Sequence, residues 1–189
     1  MCSPIRRERI RPMRTTVVFT LTGPDRVGIV EEVSQVLVGL DCNVETSRMA
    51  RLGGEFAILM SVSVPAEKRD VLEAAFDHLS AEGYRVCLSL NEAAVAQAPA
   101  DSKAYRIEVS GADHEGIVHE IARGLSRAGI NIESMETGTS PSPISGTPLF
   151  RMDVLVAVPN DIADSDWIAT LEEAGNQVGV DITVTEVGA

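Results

Sequence analysis

Aromatic residues make up only 4% of the 189-residue chain, and there are just three cysteines. With so few rings and no stacking pair on a central strand, RNA binding by base stacking is not expected. Cys2, Cys42 and Cys87 include no Cys-x-x-Cys pair, so neither a disulfide framework nor a zinc site is indicated, and Cys42 reads as a small buried hydrophobe. No apolar run approaches the ~20 residues of a membrane span, and no apolar secretion segment stands at the N-terminus. A cytoplasmic protein without membrane contact is the expectation. Basic charge is scarce too, with 16 Lys and Arg against 28 Asp and Glu and a net charge of -12. Five of those sixteen are Arg6, Arg7, Arg9, Arg11 and Arg14; setting aside residues 1–14, which also hold Glu8, leaves 11 basic and 27 acidic residues. Such a body repels phosphate, which argues against direct nucleic-acid binding by the folded part. The basic head 1–14 reads as a disordered tail, or as the result of a start assigned ahead of Met13.

What the chain has is a repeat. Gly23-Pro24-Asp25-Arg26-Val27-Gly28-Ile29-Val30 returns as Gly111-Ala112-Asp113-His114-Glu115-Gly116-Ile117-Val118, an offset of 111 − 23 = 88. The same offset carries Glu32 onto Glu120, Leu37 onto Leu125 and Asn43-Val44-Glu45 onto Asn131-Ile132-Glu133. It grows to 159 − 65 = 94 once the Pro-rich segment 140–148 has added length, where Phe150 to Pro159 answers Phe56 to Pro65. One module is written twice: residues 15–92 and 104–189, joined by a small-residue linker at 93–103, each of ordinary small-domain size.

Each copy reads as strand, helix, strand, strand, helix, strand. Val17, Phe19 and Leu21 alternate, as do Tyr105, Ile107 and Val109, the period of a half-buried strand. Ile29, Val33, Val36, Leu37 and Leu40, answered by Ile117, Ile121, Leu125 and Ala128, follow helical spacing. Gly53-Gly54 predicts a two-residue hairpin between strands 43–52 and 56–64, and its counterpart hairpin is longer and Pro-rich. A second helix is expected to face Val71, Leu72, Ala75, Phe76 and Leu79 inward and to stop at Gly83. In the other copy Trp167, Ile168, Leu171 and Val178 take that role. The order βαββαβ gives the α+β ferredoxin-like arrangement, an antiparallel sheet with both helices on one face.

The repeated turn and the repeated asparagine are the candidate site. Asp25 and Asp113 stand at a helix entrance, where a carboxylate caps orphan amides. Gly28 and Gly116 fall in the first turn, where glycine costs about 1 kcal/mol relative to alanine; either backbones pack closely there or a small anion approaches the free amides. Asn43 and Asn131 open the second strand, expected beside the first, and serve either a zwitterionic ligand or a left-handed turn. Arg26 and His114 fill the variable position after the aspartate, so two pockets would differ.

Enzyme motifs are missing. His114 and His119 are five apart and diverge by about 140° on a helix, which rules out a zinc protease pair; no metal, cofactor or catalytic residue is expected. There is no nucleophile elbow, phosphate loop or dinucleotide fingerprint. His78 reads as a surface histidine. Acylphosphatase-like chemistry on this topology could use Arg26 and Asn43, but Asp25 and Asp113 would repel an acyl phosphate. A scaffold without a small ligand is the other alternative.

The segment Asp25 to Val30, the amphipathic helix after it and the run Cys42 to Met60 resemble tandem ACT-domain proteins of the glycine cleavage system transcriptional repressor type, over nearly all of residues 15–187. The resemblance implies a regulatory protein that binds an amino acid at module interfaces, through the first strand-to-helix turn and the start of the second strand. Residue by residue it points to Gly23, Asp25, Gly28, Ile29 and Asn43, with Gly111, Asp113, Gly116, Ile117 and Asn131. It implies a regulatory protein partner, a homodimer, and no DNA-reading domain of its own. Val27 and Glu115 depart from the proline many relatives carry before the glycine, and Glu115 adds a charge that disfavours a carboxylate in the second copy.

Overall fold

The computed structural model describes residues 13–90, 102–142, 146 and 148–188. The head up to residue 12, the linker residues 93–101 and the middle of the 140–148 loop lie outside the described residues. The chain divides into two compact units, Met1–Val95 and Ala96–Ala189.

In the first unit β1 (Arg14–Pro24), α1 (Ile29–Gly39), β2 (Asn43–Leu52) and β3 (Glu55–Pro65) are followed by a 3-10 turn, the short helices α2 (Arg69–Ala74) and α3 (Asp77–Ser80), and β4 (Arg85–Leu90). The second unit contains β5 (Ser102–Ala112), α4 (Ile117–Arg127), β6 (Asn131–Pro141), β7 (Pro148–Pro159), α5 (Asp164–Gln177) and β8 (Val180–Glu186). Both are ferredoxin-like βαββαβ modules with four antiparallel strands, ordered β2-β3-β1-β4 and β6-β7-β5-β8. Arg14, counted above with the head, is the first residue of β1; its guanidinium donates to the Ser63 hydroxyl at 2.8 Å and to the Asp41 carbonyl at 2.9 Å.

The expected alternation fills the cores. Val17, Phe19 and Leu21 of β1 and Ile58, Met60, Val62 and Val64 of β3 meet Ile29, Val33 and Leu37 of α1. Tyr105, Ile107 and Val109 with Met152, Val154, Val156 and Val158 meet Ile117, Ile121 and Leu125 in the second module. Each core is pinned by one aromatic pair, Phe19 with Phe76 at 4.9 Å and Tyr105 with Trp167 at 5.2 Å between ring centroids. Gly53 and Gly54, at φ 59° and 93°, make the expected hairpin turn.

Two expectations are corrected. The second helix of the first module is broken into α2 and α3, and although Leu72, Phe76 and Leu79 are buried at helical spacing, Val71 is 53% exposed, because one helical step of about 100° from Leu72 turns it off the core-facing side. The second strand does not lie beside the first either, since β3 is hydrogen-bonded between β2 and β1.

Candidate functional site

Each repeated turn is built where β1, or β5, runs out against the start of the module's last strand. Gly23 is glycine because an added Cβ would sit 2.4 Å from Tyr84 Cδ1 and 2.9 Å from Tyr84 Cα; at Gly111 it would sit 2.9 Å from Val180 Cγ1. The Tyr84 hydroxyl then donates to the Pro24 carbonyl at 2.6 Å, tying the last strand to the turn.

Gly28 and Gly116 serve a different need. Both are N-caps in the left-handed region, at φ 93° and 96°, which disfavours any Cβ. A Cβ on Gly116 would meet nothing within 4 Å, and one on Gly28 only the tip of Arg26 at 4.0 Å. The backbone bend repeated in both modules, and not close packing, therefore accounts for these two glycines. The aspartates are not the N-caps, a position that Gly28 and Gly116 hold without any side chain to cap with. The Asp25 amide donates to the Gly54 carbonyl at 2.9 Å and the Asp113 amide to the Pro148 carbonyl at 3.0 Å, pinning the turn to the following hairpin, while the Asp25 carboxylate pairs with Arg51 at 2.7 Å. What stays uncapped is the first turn of each helix. Glu32 and Glu120 supply the first amides that reach back, to the carbonyls of Gly28 and Gly116, so the amides of residues 29–31 and 117–119 lack an intrahelical acceptor.

The side chain after each aspartate covers the turn. Arg26 donates to Glu32 Oε2 at 2.5 Å and to Glu82 Oε2 at 3.0 Å, with its guanidinium 5.6 Å from the Tyr84 ring centroid. His78 adds a 2.9 Å contact to the other Glu32 oxygen, confirming it as a surface residue with a partner. Hydrogen bonds first from Arg26 and then from His78 hold the Glu32 carboxyl below the usual carboxylate range. In the second module His114 sits between the Glu115 carbonyl at 2.9 Å and the Val178 carbonyl at 2.7 Å, and Glu120 pairs with Arg123 instead. Sequence reasoning missed Glu32, Glu82, His78 and Tyr84 as neighbours of the turn. The exact repetition of Glu32 in Glu120 was the one available signal.

The asparagines stand elsewhere. Asn43 pairs with Ser63, which pairs with Thr16, whereas Gly23 pairs with Phe56. Seven residues of strand, roughly 23 Å at 3.3 Å each, separate the two ends; Asn131, level with Ala157 and Ala104, repeats this against Gly111. Neither asparagine takes the left-handed turn, which falls two residues earlier on Asp41 (φ 54°) and Gly129 (φ 73°). The register slips between Val44 and Thr46 and between Ile132 and Ser134, so Glu45 and Glu133 are the extra residues of a β-bulge. The Asn-x-Glu triplet repeats because both copies place this bulge, which bends the strand and re-aims its side chains. One consequence is that Arg26 and Asn43 cannot meet in one module, which removes the acylphosphatase-like arrangement. A depression of about 290 Å³ beside the first turn is lined by Thr22, Gly23, Pro24, Glu55, Gly83 and Arg85; of the candidate residues only Gly23 contributes to it.

Family models for the ACT domain match residues 15–83 and 105–163, more than half of the chain. The chain belongs to the ACT-domain family. The chain is similar to a crystal structure of an unknown protein from Galdieria sulphuraria, 34% identical, with a TM-score of 0.82 over 93% of this chain and 100% of that one. A solved structure described as a candidate glycine cleavage system transcriptional repressor shares the fold, at 18% identity and a TM-score of 0.68, over 94% of this chain and 99% of that one. The glycine cleavage system transcriptional repressor of Escherichia coli (strain K12) is 25% identical over 126 residues, 67% of this chain and 66% of that protein, just under two thirds of its length. Among the described residues no helix is long and apolar enough to cross a membrane.

Proposed function

We propose that this ACT-domain protein is a cytoplasmic amino-acid sensor that controls a partner protein, a transcriptional regulator of amino-acid metabolism, and that it is not an enzyme. The observation that carries the reading is the pair of uncapped helix starts, Ile29 and Ile117, each behind a left-handed glycine. Free amides at a helix N-terminus attract a carboxylate, and the apolar Val27 stands fully exposed beside the first of them, as a surface does that another protein segment covers. The asparagine at the far end of the sheet is out of reach of a ligand at the turn of its own module. A second copy of the chain supplies it, so the functional state is a homodimer with the ligand between modules. Glycine is the favoured ligand, on the similarity to the repressor of the glycine cleavage system. The acidic body suits an effector that acts through a protein and not on nucleic acid.

A thermal melt against all twenty amino acids tests this, because binding to the native state raises its stability by mass action. Glycine or another small amino acid is expected to raise the melting temperature, and Asn43→Ala to remove the rise. A flat panel favours the scaffold reading, which has an observation of its own: Arg26 and His114 already cover both turns.

A further inference from the structure

The residue after each aspartate reaches the same point of the fold by different chemistry. Glu82 and Val178 each stand two residues before the one that lies against the strand-end glycine, Tyr84 against Gly23 and Val180 against Gly111. Arg26 meets the first with a guanidinium and His114 the second with an imidazole. We infer that this position is a clasp between the strand-to-helix turn and the end of the second helix, permanently charged in the first module and proton-operated, through His114, in the second.

The argument is one of donors and acceptors. Both ring nitrogens of His114 face carbonyl oxygens, at 2.9 and 2.7 Å. A carbonyl only accepts, and a neutral imidazole carries a single N–H. Both contacts are therefore satisfied only in the imidazolium form. Val178 is the C-cap of α5, where orphan carbonyls and the negative end of the helix dipole favour a cation. The surroundings add little opposition. Asp113 in the turn attracts the charged ring, and Glu115 contributes its backbone carbonyl. Asn176, Gln177 and Val178 at the end of α5, Gly179 and Val180 entering β8, and Pro148 and Leu149 opening β7 are all uncharged; Asp181 is the first charged residue along β8. Loss of the proton turns one of the two contacts into a lone pair facing a carbonyl, so a neutral ring cannot keep both and the clasp is weakened.

The two backbone bonds, with the Glu115 carbonyl foremost, raise the pKa of His114 above its ordinary value. A raised folded-state pKa means that the stabilisation is complete below the ordinary histidine value of about 6.5 and is lost as pH rises through the higher folded-state value. Arg26 stays charged throughout this window, so the second turn loosens while the first stays shut. The inference concerns the turn itself and needs no ligand. Where the amino-acid reading also holds, affinity at the second module alone becomes pH-dependent.

The test is imidazole and amide NMR of the full chain from pH 5 to 9, without amino acid. His114 is expected to titrate above an unstructured histidine peptide, and the amides of Asp113 to Ile117 and of Val178 and Gly179 to move with the same midpoint, while in His78→Gln, which removes the first turn's own histidine contact to Glu32, those of Asp25 to Ile29 stay still. His114→Arg should hold the second turn in its low-pH position across the range, and His114→Gln in its high-pH position. A His114 midpoint at or below the peptide value overturns the inference, as does unchanged movement of the second turn in His114→Arg. A failed glycine melt with this titration intact removes only the ligand reading.

Discussion

Glu32 and Glu120 occupy one position of the repeated helix and hold different partners. In the first module the carboxylate gathers Arg26 and His78 from the turn and the second helix; in the second it pairs along its own helix with Arg123. The helices diverge in the same way. Val36 of α1 corresponds to Gly124 of α4, and a Cβ on Gly124 would lie 3.3 Å from the Ala174 Cβ of α5, so glycine lets α4 and α5 pack directly. In the first module Val36 packs against the core, the second helix is divided into α2 and α3, and Arg26 and His78 meet Glu32 from the turn and from α3. Duplication preserved what the backbone demands, namely the left-handed glycines, the strand-end glycines and the bulge. It let the side chains that close each turn diverge.

Breaking each core separately gives the largest expected effect. Phe76→Ala and Trp167→Ala each remove a fully buried ring and should cost about 3–5 kcal/mol, the first confined to its own module. Trp167 is the sole tryptophan, so its fluorescence reports the second module alone, and unfolding of that module by Phe76→Ala would contradict the independence of the cores. Moving the first module's residue into the second, Gly124→Val, should cost about 1–3 kcal/mol by overpacking α4 against α5; the same fluorescence melt reads it. Gly28→Ala and Gly116→Ala should each cost about 1–2 kcal/mol, equally, because both pay for a left-handed backbone; denaturant midpoints that differ strongly between them would show that the two glycines serve different ends. The smallest effect is expected for Asp25→Ala, which removes one exposed ion pair with Arg51 and should change stability by under about 1 kcal/mol, measured by amide exchange in the first turn.

Much of this was legible in the residues because it is local. Alternation at Val17, Phe19 and Leu21 and helical spacing at Ile29, Val33 and Leu37 report which face is buried without reference to the rest of the chain. The partner of β2 was not legible, since strand order depends on pairing between distant segments, and so the strand that opens with Asn43 was expected beside β1, where β3 lies instead. Gly28 stood out as costly, but only a backbone angle tells a left-handed cap from a space left for a ligand. The clasps of Arg26 and His114 join residues 56 and 64 apart in sequence, and no spacing rule connects them.

The central claim, that the uncapped amides behind the two left-handed glycines receive the carboxylate of an amino acid, is tested most directly by titrating glycine into the 15N-labelled chain. The account predicts saturable shifts of the Ile29 and Val30 amides together with the Asn43 side-chain amide, in one step and with one affinity. Amides at both helix starts that stay in place up to millimolar glycine, while other amino acids also leave them unmoved, would contradict it.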